Sequence, residues 1–567
     1  MHRPQSQHTQ SLYFDYPRYA FERPPEMDGA QHRHPVVIVG AGPVGLCCAL
    51  ELAKHGVRSV VLEEDETVSE GSRALSISRR SFEILQQLDL SERFLEKALP
   101  WTSGKSFYRD KVVFELEMPH TDDERFFPMV NLQQCYVERF MVEQIMEQDA
   151  AELRWQSKVV AVSQTEEAVE LRVDTPEGEY TLAAEYVIAG DGARSVLRDL
   201  LGLRMSGTSF RGEYLIADIK LPTDRPTERL AWFDPVSNPE STVLMHKQPD
   251  DMWRVDYQLP PGYDPGVELD EANIRKRIQQ QLDLLGETGP WELDWFSLYK
   301  AHCLCLDDYR TGRVFFVGDA AHLVPIFGVR GLNSGLADAN NLGWKLAWVM
   351  QGLADATLLD SYSTERRADT QETFQQASKS TAFMTPPSRG FRLLRDAVLS
   401  LSLSESFAQG LINPRQSSAF AYTDSPLNGE DDDAAFEQGP RTGAPLQNVW
   451  IRARVQAEPS TFLLDHLGVG FTLLYFTEDG QFPDFIRDVK PAEKTSALRP
   501  LVISQKAASG QTITWLHDPE RRVHEQYGAS HGTGYLVRPD GHVAARWKSL
   551  SEQKLRTALS RTVRISP

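Results

Sequence analysis

The sequence predicts an α/β protein: a Rossmann-like dinucleotide-binding domain, a β-sheet domain inserted into it, and a further unit behind it. Two glycine-marked turns and a change of pattern between them predict this. The first turn, Gly40-Ala41-Gly42-Pro43-Val44-Gly45, follows the apolar run Pro35-Val36-Val37-Ile38-Val39 and opens a helical pattern from Val44 to Lys54. The second, Gly318-Asp319-Ala320-Ala321-His322, follows the buried-strand run Val314-Phe315-Phe316-Val317 and leads through Gly328-Val329-Arg330-Gly331-Leu332-Asn333 into a helix reaching Met350. Between them, over residues 210 to 300, the pattern turns strand-like and aromatic.

The first turn has the parts of a dinucleotide fingerprint. Gly40 permits the tight turn, Gly42 lets backbone amides approach a pyrophosphate, and Gly45 allows close packing of helix on strand. The next strand, Ser59-Val60-Val61-Leu62, ends in Glu63, whose carboxylate can accept hydrogen bonds from ribose hydroxyls. The second turn decides which dinucleotide. Asp319, at a strand end, can bond the hydroxyls of a ribityl chain, and the free amides of the following helix N-terminus, Gly331, Leu332 and Asn333, can face an electron-rich ring edge. Reduced flavin becomes anionic on its N1 and C2-carbonyl side, so a helix terminus there stabilises it. A nicotinamide needs no such second pole, and the reading is one FAD bound at both ends.

With those motifs the chain resembles the flavoprotein aromatic hydroxylases, single-component FAD monooxygenases typified by para-hydroxybenzoate hydroxylase, phenol hydroxylase and 3-(3-hydroxyphenyl)propionate hydroxylase. Three motifs match in order: the Gly40 to Gly45 fingerprint with Glu63, Asp191-Gly192-Ala193-Arg194-Ser195-Val196-Leu197-Arg198, and Gly318 to His322 with Pro325 and Gly331-Leu332-Asn333. The motif coverage runs from about residue 35 to 380. By that resemblance Arg73 touches the FAD phosphate or ribose region, Gln134 the ribityl chain, and Asp319 a ribityl hydroxyl, with Asp191 and Gly318 in the same cofactor set. Many members have Pro-Pro in the flavin loop, whereas here Ile326 and Phe327 follow Pro325 and Arg330 stands inside the turn.

The resemblance also implies the organisation. Residues 1–33 read as an arm, 34–210 as the first part of the FAD-binding domain, 211–304 as the substrate sheet, 305–412 as the second part with its helices, 413–441 as a linker and 442–567 as a thioredoxin-like domain. The acidic stretch Gly429-Glu430-Asp431-Asp432-Asp433 reads as solvated linker. In the last unit Gly534 to Trp547 reads as a hairpin turning at Asp540-Gly541, and the absence of cysteine from that unit excludes redox work by it.

The five cysteines, at positions 47, 48, 135, 303 and 305, form no CxxC pair and read as buried thiols, so no metal is expected. No apolar run reaches membrane-spanning length and the N-terminus lacks a signal-peptide core, which points to a cytoplasmic protein with no membrane partner. A formal net charge of −20 argues against nucleic acid.

The chemistry the resemblance implies uses the cofactor for the hard step. NADH or NADPH, bound transiently because only one fingerprint exists, would reduce a non-covalent FAD, with Arg194 and Arg198 as contributors. O2 would add at the flavin C4a as a hydroperoxide and attack a phenolic ring. That adduct must be kept dry, so the 210 to 300 sheet is expected to roof it with apolar side chains. Tyr257, His246 and Asp256 are the candidate bases for the phenol proton, and Arg254 and Pro325 the candidate substrate contacts, Arg254 for an anionic group. A homodimer is expected. An FAD-dependent oxidase or halogenase-like enzyme and a non-catalytic flavin-binding protein stay open, although the halogenase Trp-x-Trp-x-Ile-Pro motif is absent.

Overall fold

Val36, Val37 and Ile38 are fully buried in β1 (Arg33–Val39). The computed structural model, which describes residues 11–412, 419–429, 431–451, 461–487, 498–506 and 513–563, gives this strand parallel neighbours on both sides. A strand covered on both faces can be apolar at successive positions, which is why the run reads continuous rather than alternating. Gly40 turns the chain into α1 (Pro43–Lys54), where Pro43 takes the first helical position, and the chain returns as β2 (Ser59–Leu62). There follow α2 (Arg79–Gln86), capped by the Ser78 hydroxyl accepting from the Ser81 amide, and α3 (Gln134–Gln148). β3 (Gly178–Ala189) then lies along the other edge of β1, with Val187 beside Val37.

The second sheet takes β4 (Ser206–Lys220), β5 (Arg229–Phe233), β6 (Thr242–Lys247) and β7 (Met252–Gln258), then, after α4 (Glu271–Leu285), β8 (Glu292–Cys305). Their order is β8-β4-β7-β6-β5. The expected boundary of 211–304 is too narrow. β4 begins at Ser206, and two strands from far upstream, Ser103–Tyr108 and Lys111–Glu117, extend the β5 edge, with Gly104 beside Arg229. Short alternating strands look alike whichever sheet receives them, so such distant pairing leaves no local mark.

The chain re-enters the first sheet at β9 (Val314–Phe316), parallel to β3, and continues into α5 (Gly331–Met350), α6 (Asp360–Met384) and α7 (Arg389–Leu401). α5 runs along α1 in the same direction. Gly335 meets Val44 and Gly343 meets Glu51 so closely that a Cβ on either glycine would fall 2.4 Å and 2.6 Å from those side chains. The N-termini of α1 and α5 therefore lie at one end.

Behind them stands a five-stranded sheet centred on β10 (Phe471–Thr477), with β11 (Leu498–Ser504) parallel to it and the hairpin of β12 (Gly534–Val537) and β13 (Val543–Trp547) antiparallel. Trp344 and Trp348 of α5 pack edge-on against Phe471, which joins this unit to the FAD-binding part. None of the five cysteines lies in it, and all five are buried free thiols.

Two expectations about flexible segments are corrected. Residues 11–33 do not project as an arm: Phe14 is buried, Tyr19 stacks on Trp155 at 4.2 Å, and the Ser11 hydroxyl donates to Asp294. Residues 1–10 lie outside the described residues, as do 413–418 and 430 of the linker. The described part of the acidic stretch is not simply solvated, because Asp431 pairs with Arg546 at 2.7 Å and Asp432 with Lys554 at 3.4 Å. Partners more than a hundred residues away are invisible to a local count of charges.

Candidate flavin and substrate site

The first turn is made of backbones in contact. Gly40 has a φ of 102°, and a Cβ there would lie 2.5 Å from the Gly190 carbonyl oxygen, while one on Gly45 would lie 2.0 Å from that of Gly40. Gly42 has nothing within 4 Å of such an atom, so the N-terminus of α1 is open to a ligand. Glu63 accepts the Ala41 amide at 2.7 Å and the Asp65 amide at 3.0 Å. Burial pushes Glu63 up to about 7, against those two amides, which lower it. Asp191 accepts the Leu197 amide at 3.0 Å through Oδ2, and its Oδ1 is buried without a partner.

Gln134 shapes the loop before α2. Its Oε1 accepts the Ala74 amide at 3.1 Å and its Nε2 donates to Glu138 at 2.8 Å. Arg73 in that loop is exposed, with a left-handed φ of 37°. Arg198 donates to the Ala193 and Ala320 carbonyls at 2.7 Å and 3.4 Å, so it ties the Asp191 segment to the second turn.

The second turn hangs on Asp338 of α5, whose Oδ2 accepts the Gly318 amide at 2.8 Å and His322 Nε2 at 2.7 Å. Its other oxygen accepts Arg366 Nε of α6 at 2.5 Å. Burial opposes charge on His322, but the Asp338 carboxylate outweighs it and raises the imidazole above its ordinary value. Asp319 is enclosed by protein yet still touched by solvent; burial pushes it up while His322 and Arg198 pull it down. The Asn333 side chain is not available to a ring edge, since it accepts from the Ser78 amide and Ser81 hydroxyl and donates to Ser76 and Val329 carbonyls. Of that residue only the backbone amide, with those of Gly331 and Leu332, belongs to the open first turn of α5. An open glycine cradle, an orphaned Asp191 oxygen and a second helix N-terminus beside Asp319 fit an extended flavin dinucleotide.

The second sheet has two unlike faces. On one, Trp232, Val243, Trp253, Val255 and Tyr257 pack against α4. The other carries three rows across β5, β6, β7 and β4: Arg229, His246, Arg254 and Asp218; Ala231, Leu244, Asp256 and Ile216; Phe233, Thr242, Gln258 and Tyr214. This inner face abuts the flavin turns. The Ser72 amide and hydroxyl donate to Asp218 at 3.0 Å and 2.9 Å, Tyr299 donates to the Val324 carbonyl at 3.0 Å, and Phe327 meets Tyr214 edge-on at 5.3 Å. Pro325 is buried between Val324 and Phe327 in that loop. Leu399 of α7 roofs the same cluster.

The sequence candidates part company here. Asp256 is buried and His246 half-buried on the inner face, whereas Tyr257 is on the α4 face, with its hydroxyl unpartnered and the Arg277 guanidinium 5.5 Å from its ring. Successive strand residues face opposite ways, so Asp256 and Tyr257 could never have shared a site. Arg254 is not free to receive an anion: its Nε donates to Asp256 at 2.7 Å and its Nη1 to the Arg73 carbonyl. Burial raises the Asp256 carboxyl, with Arg254 opposing, and raises Asp218 to about 6 against the same guanidinium. His246 is held well below its ordinary value by burial, then by Arg229 and Arg254, and its Nδ1 has no partner. Arg229 and Asp218 were missed. Their signal was available for Arg229, two residues before Ala231 and four before Phe233, hence on one face of a strand.

Comparison with known proteins agrees with this geometry. A family model described as an FAD binding domain matches residues 33–377. The chain is 29% identical over 447 residues to a 3-(3-hydroxy-phenyl)propionate/3-hydroxycinnamic acid hydroxylase of Mycolicibacterium smegmatis, covering 77% of this chain and 76% of that protein. It is 30% identical over 383 residues to the protein of the same name in Burkholderia cenocepacia, covering 67% and 69%. Among solved structures, the flavin-dependent monooxygenase PieE, in complex with FAD and substrate, superposes with a TM-score of 0.78 at 24% identity, over 94% of this chain and all of that one. The p-nitrophenol 4-monooxygenase PnpA of Pseudomonas putida gives 0.57 at 26% identity, over 68% of this chain and all of that one.

Proposed function

The chain belongs to the FAD-binding-domain family, and on that footing we propose that it is an NAD(P)H-dependent flavin monooxygenase that hydroxylates a phenolic ring. The observation that carries this reading is the contact of an enclosed inner face, holding the buried carboxyl of Asp256, with the flavin loop through Tyr299–Val324 and Tyr214–Phe327. The names of its relatives support the same chemistry.

In this reading the α1 N-terminus at Gly42 takes the pyrophosphate, and Glu63 the adenosine ribose. Arg73, Gln134 and Asp319 line the path to the ring, and the α5 N-terminus stabilises its negative edge. FAD, when bound, supplies electron transfer and oxygen activation. Phe233, Leu244, Phe327 and Leu399 keep water from the reacting atoms. Asp256 accepts the phenol proton, a role suited to a carboxyl raised by burial.

The reading extends to a cytoplasmic homodimer. No helix among the described residues is long and apolar enough to cross a membrane. Five free cysteines suit a reducing compartment, and α7 exposes Phe391, Leu393 and Leu394 on its outer side, an apolar strip that a second copy would cover. Light scattering of the holoenzyme tests the dimer.

The deciding experiment follows NADH and NADPH oxidation with phenols. Phenol-stimulated oxidation with a matching yield of hydroxylated product is expected. Oxidation that yields hydrogen peroxide alone would make the protein an oxidase, and a flavin that neither nucleotide reduces would make it a binding protein.

A further inference from the structure

We infer that Tyr16 is a positioning residue for the flavin: the N-terminal segment straps the loop of residues 66–74 into the shape that lets Arg73 meet FAD. The inference rests on the reading of Arg73 as a cofactor contact. Between β2 and the short strand Ser76–Ser78 the chain forms neither helix nor strand, so the loop is shaped by side chains that take its amides one by one. Glu138 of α3 accepts the Ser69 amide at 2.5 Å, the Tyr16 hydroxyl that of Gly71 at 2.9 Å, Asp218 of β4 that of Ser72 at 3.0 Å, and Gln134 of α3 that of Ala74 at 3.1 Å. Arg73 sits among them with its left-handed φ of 37°, a conformation that a residue with a side chain keeps only where its surroundings impose it.

The strap is fixed at both ends. On β8, Trp295 pairs with Asp218 and Leu293 with Ile219, which leaves Asp294 as the extra residue of a β-bulge. A bulge re-aims a side chain, and the Asp294 carboxylate accepts the Leu12 amide at 2.5 Å and the Ser11 hydroxyl at 3.1 Å. At the other end the Tyr19 amide donates to the Glu66 carbonyl at 2.8 Å, and Arg18 pairs with the Glu66 side chain. The bulge also backs the loop. A Cβ on Gly71, whose φ is 77°, would lie 2.5 Å from the Trp295 ring, so Gly71 is pinned between Trp295 and Tyr16.

Packing alone does not call for the hydroxyl. Phe14 meets Tyr16 edge-on at 4.7 Å and Tyr136 at 4.9 Å, contacts that Tyr16→Phe would keep. What the hydroxyl adds is an acceptor for Gly71, two residues before Arg73. The strap also precedes residues 33–377, the stretch that matches the FAD-binding-domain model, so the family match does not account for it.

A double-mutant cycle tests the inference. Holoenzyme is diluted and FAD release is followed by flavin fluorescence, giving a Kd for the native protein, Tyr16→Phe, Arg73→Gln and the double variant. Tyr16→Phe should weaken FAD binding by roughly two- to tenfold, the scale of one neutral hydrogen bond, and Arg73→Gln by about tenfold or more, the scale of a charge-assisted one. In the Arg73→Gln background Tyr16→Phe should add nothing, because the strap acts through Arg73; a general loosening of the fold would weaken both backgrounds equally. Should Tyr16→Phe give no soluble protein, Asp294→Ala, which frees the other end of the strap, takes its place in the cycle with the same expectation. An equal loss in both backgrounds, or no loss in Tyr16→Phe while Arg73→Gln binds weakly, would overturn the proposal and leave Arg73 as a cofactor contact. Undiminished FAD binding by Arg73→Gln would instead sink the reading of that loop, and the proposal with it. FAD release needs no turnover, so the hydroxylase reading is decided separately.

Discussion

Arg538, in the turn of the C-terminal hairpin, donates from both terminal nitrogens to the Glu365 carboxylate of α6, at 2.6 Å and 2.9 Å, with both side chains buried. Glu365 also receives Lys345 and Asn341 of α5, each at 2.7 Å. The next residue, Arg366, holds Asp338, and Asp338 holds the flavin turn. A cysteine-free domain thus reaches the cofactor site through four residues.

Arg538→Gln should cost about 3–5 kcal/mol, as breaking a buried pair leaves Glu365 facing Lys345 alone among its cationic partners. Lower thermal midpoints for unfolding and for FAD release are expected, read by calorimetry and flavin fluorescence. An unchanged melting profile would remove this contact from the docking of the domain.

Burial pushes Glu63 up to about 7, whereas a glutamate in an unfolded chain titrates at about 4.3. Between those values the folded apoprotein holds a proton that the unfolded chain has lost, so this group's contribution to stability falls as pH rises through the window. Ribose hydroxyls donate to the ionised carboxylate, and FAD binding should therefore tighten as pH rises through about 7. Glu63→Gln should bind more weakly and flatten that dependence. Fluorescence titration of apoprotein checks it, and an identical slope in the variant would refute the assignment.

Asp319→Ala should loosen the ribityl end of the cofactor more than the substrate. A ring displaced by about 1 Å can lose on the order of a hundredfold in rate. We expect reduced FAD retention and a shift of consumed NAD(P)H from product to hydrogen peroxide. Normal retention with an unchanged product-to-peroxide ratio would take Asp319 out of the site.

Asp256→Asn should lower kcat by on the order of a hundredfold or more, the usual weight of a general base. Tyr257→Phe removes a buried hydroxyl that bonds to nothing, and should leave both turnover and folding intact. Equal damage from the two would mean that the α4 face, not the inner face, meets the substrate.

The flavin half of the protein was legible because its chemistry is local. Gly40, Gly42, Gly45 and Glu63 lie within 24 residues of one another, and each is demanded by backbone geometry or by a strand end. The substrate half was not. Asp256 and Tyr257 look equivalent as letters, and only sheet register separates them. Arg254 read as a lone cation because Asp256, two residues on, gave no sign that it shares its face and its charge.

By itself, the sequence determined the βαβ turn, the second flavin turn and the family, since glycine conformations and strand-end acids are properties of short segments. The tertiary structure alone decided that strands from 103 to 117 join the second sheet, which side chains share its inner face, and that Arg538 is tied to the flavin turn. Those contacts join residues tens to hundreds of positions apart. Burial then sets their charge state, and neither quantity is written in any local stretch of chain.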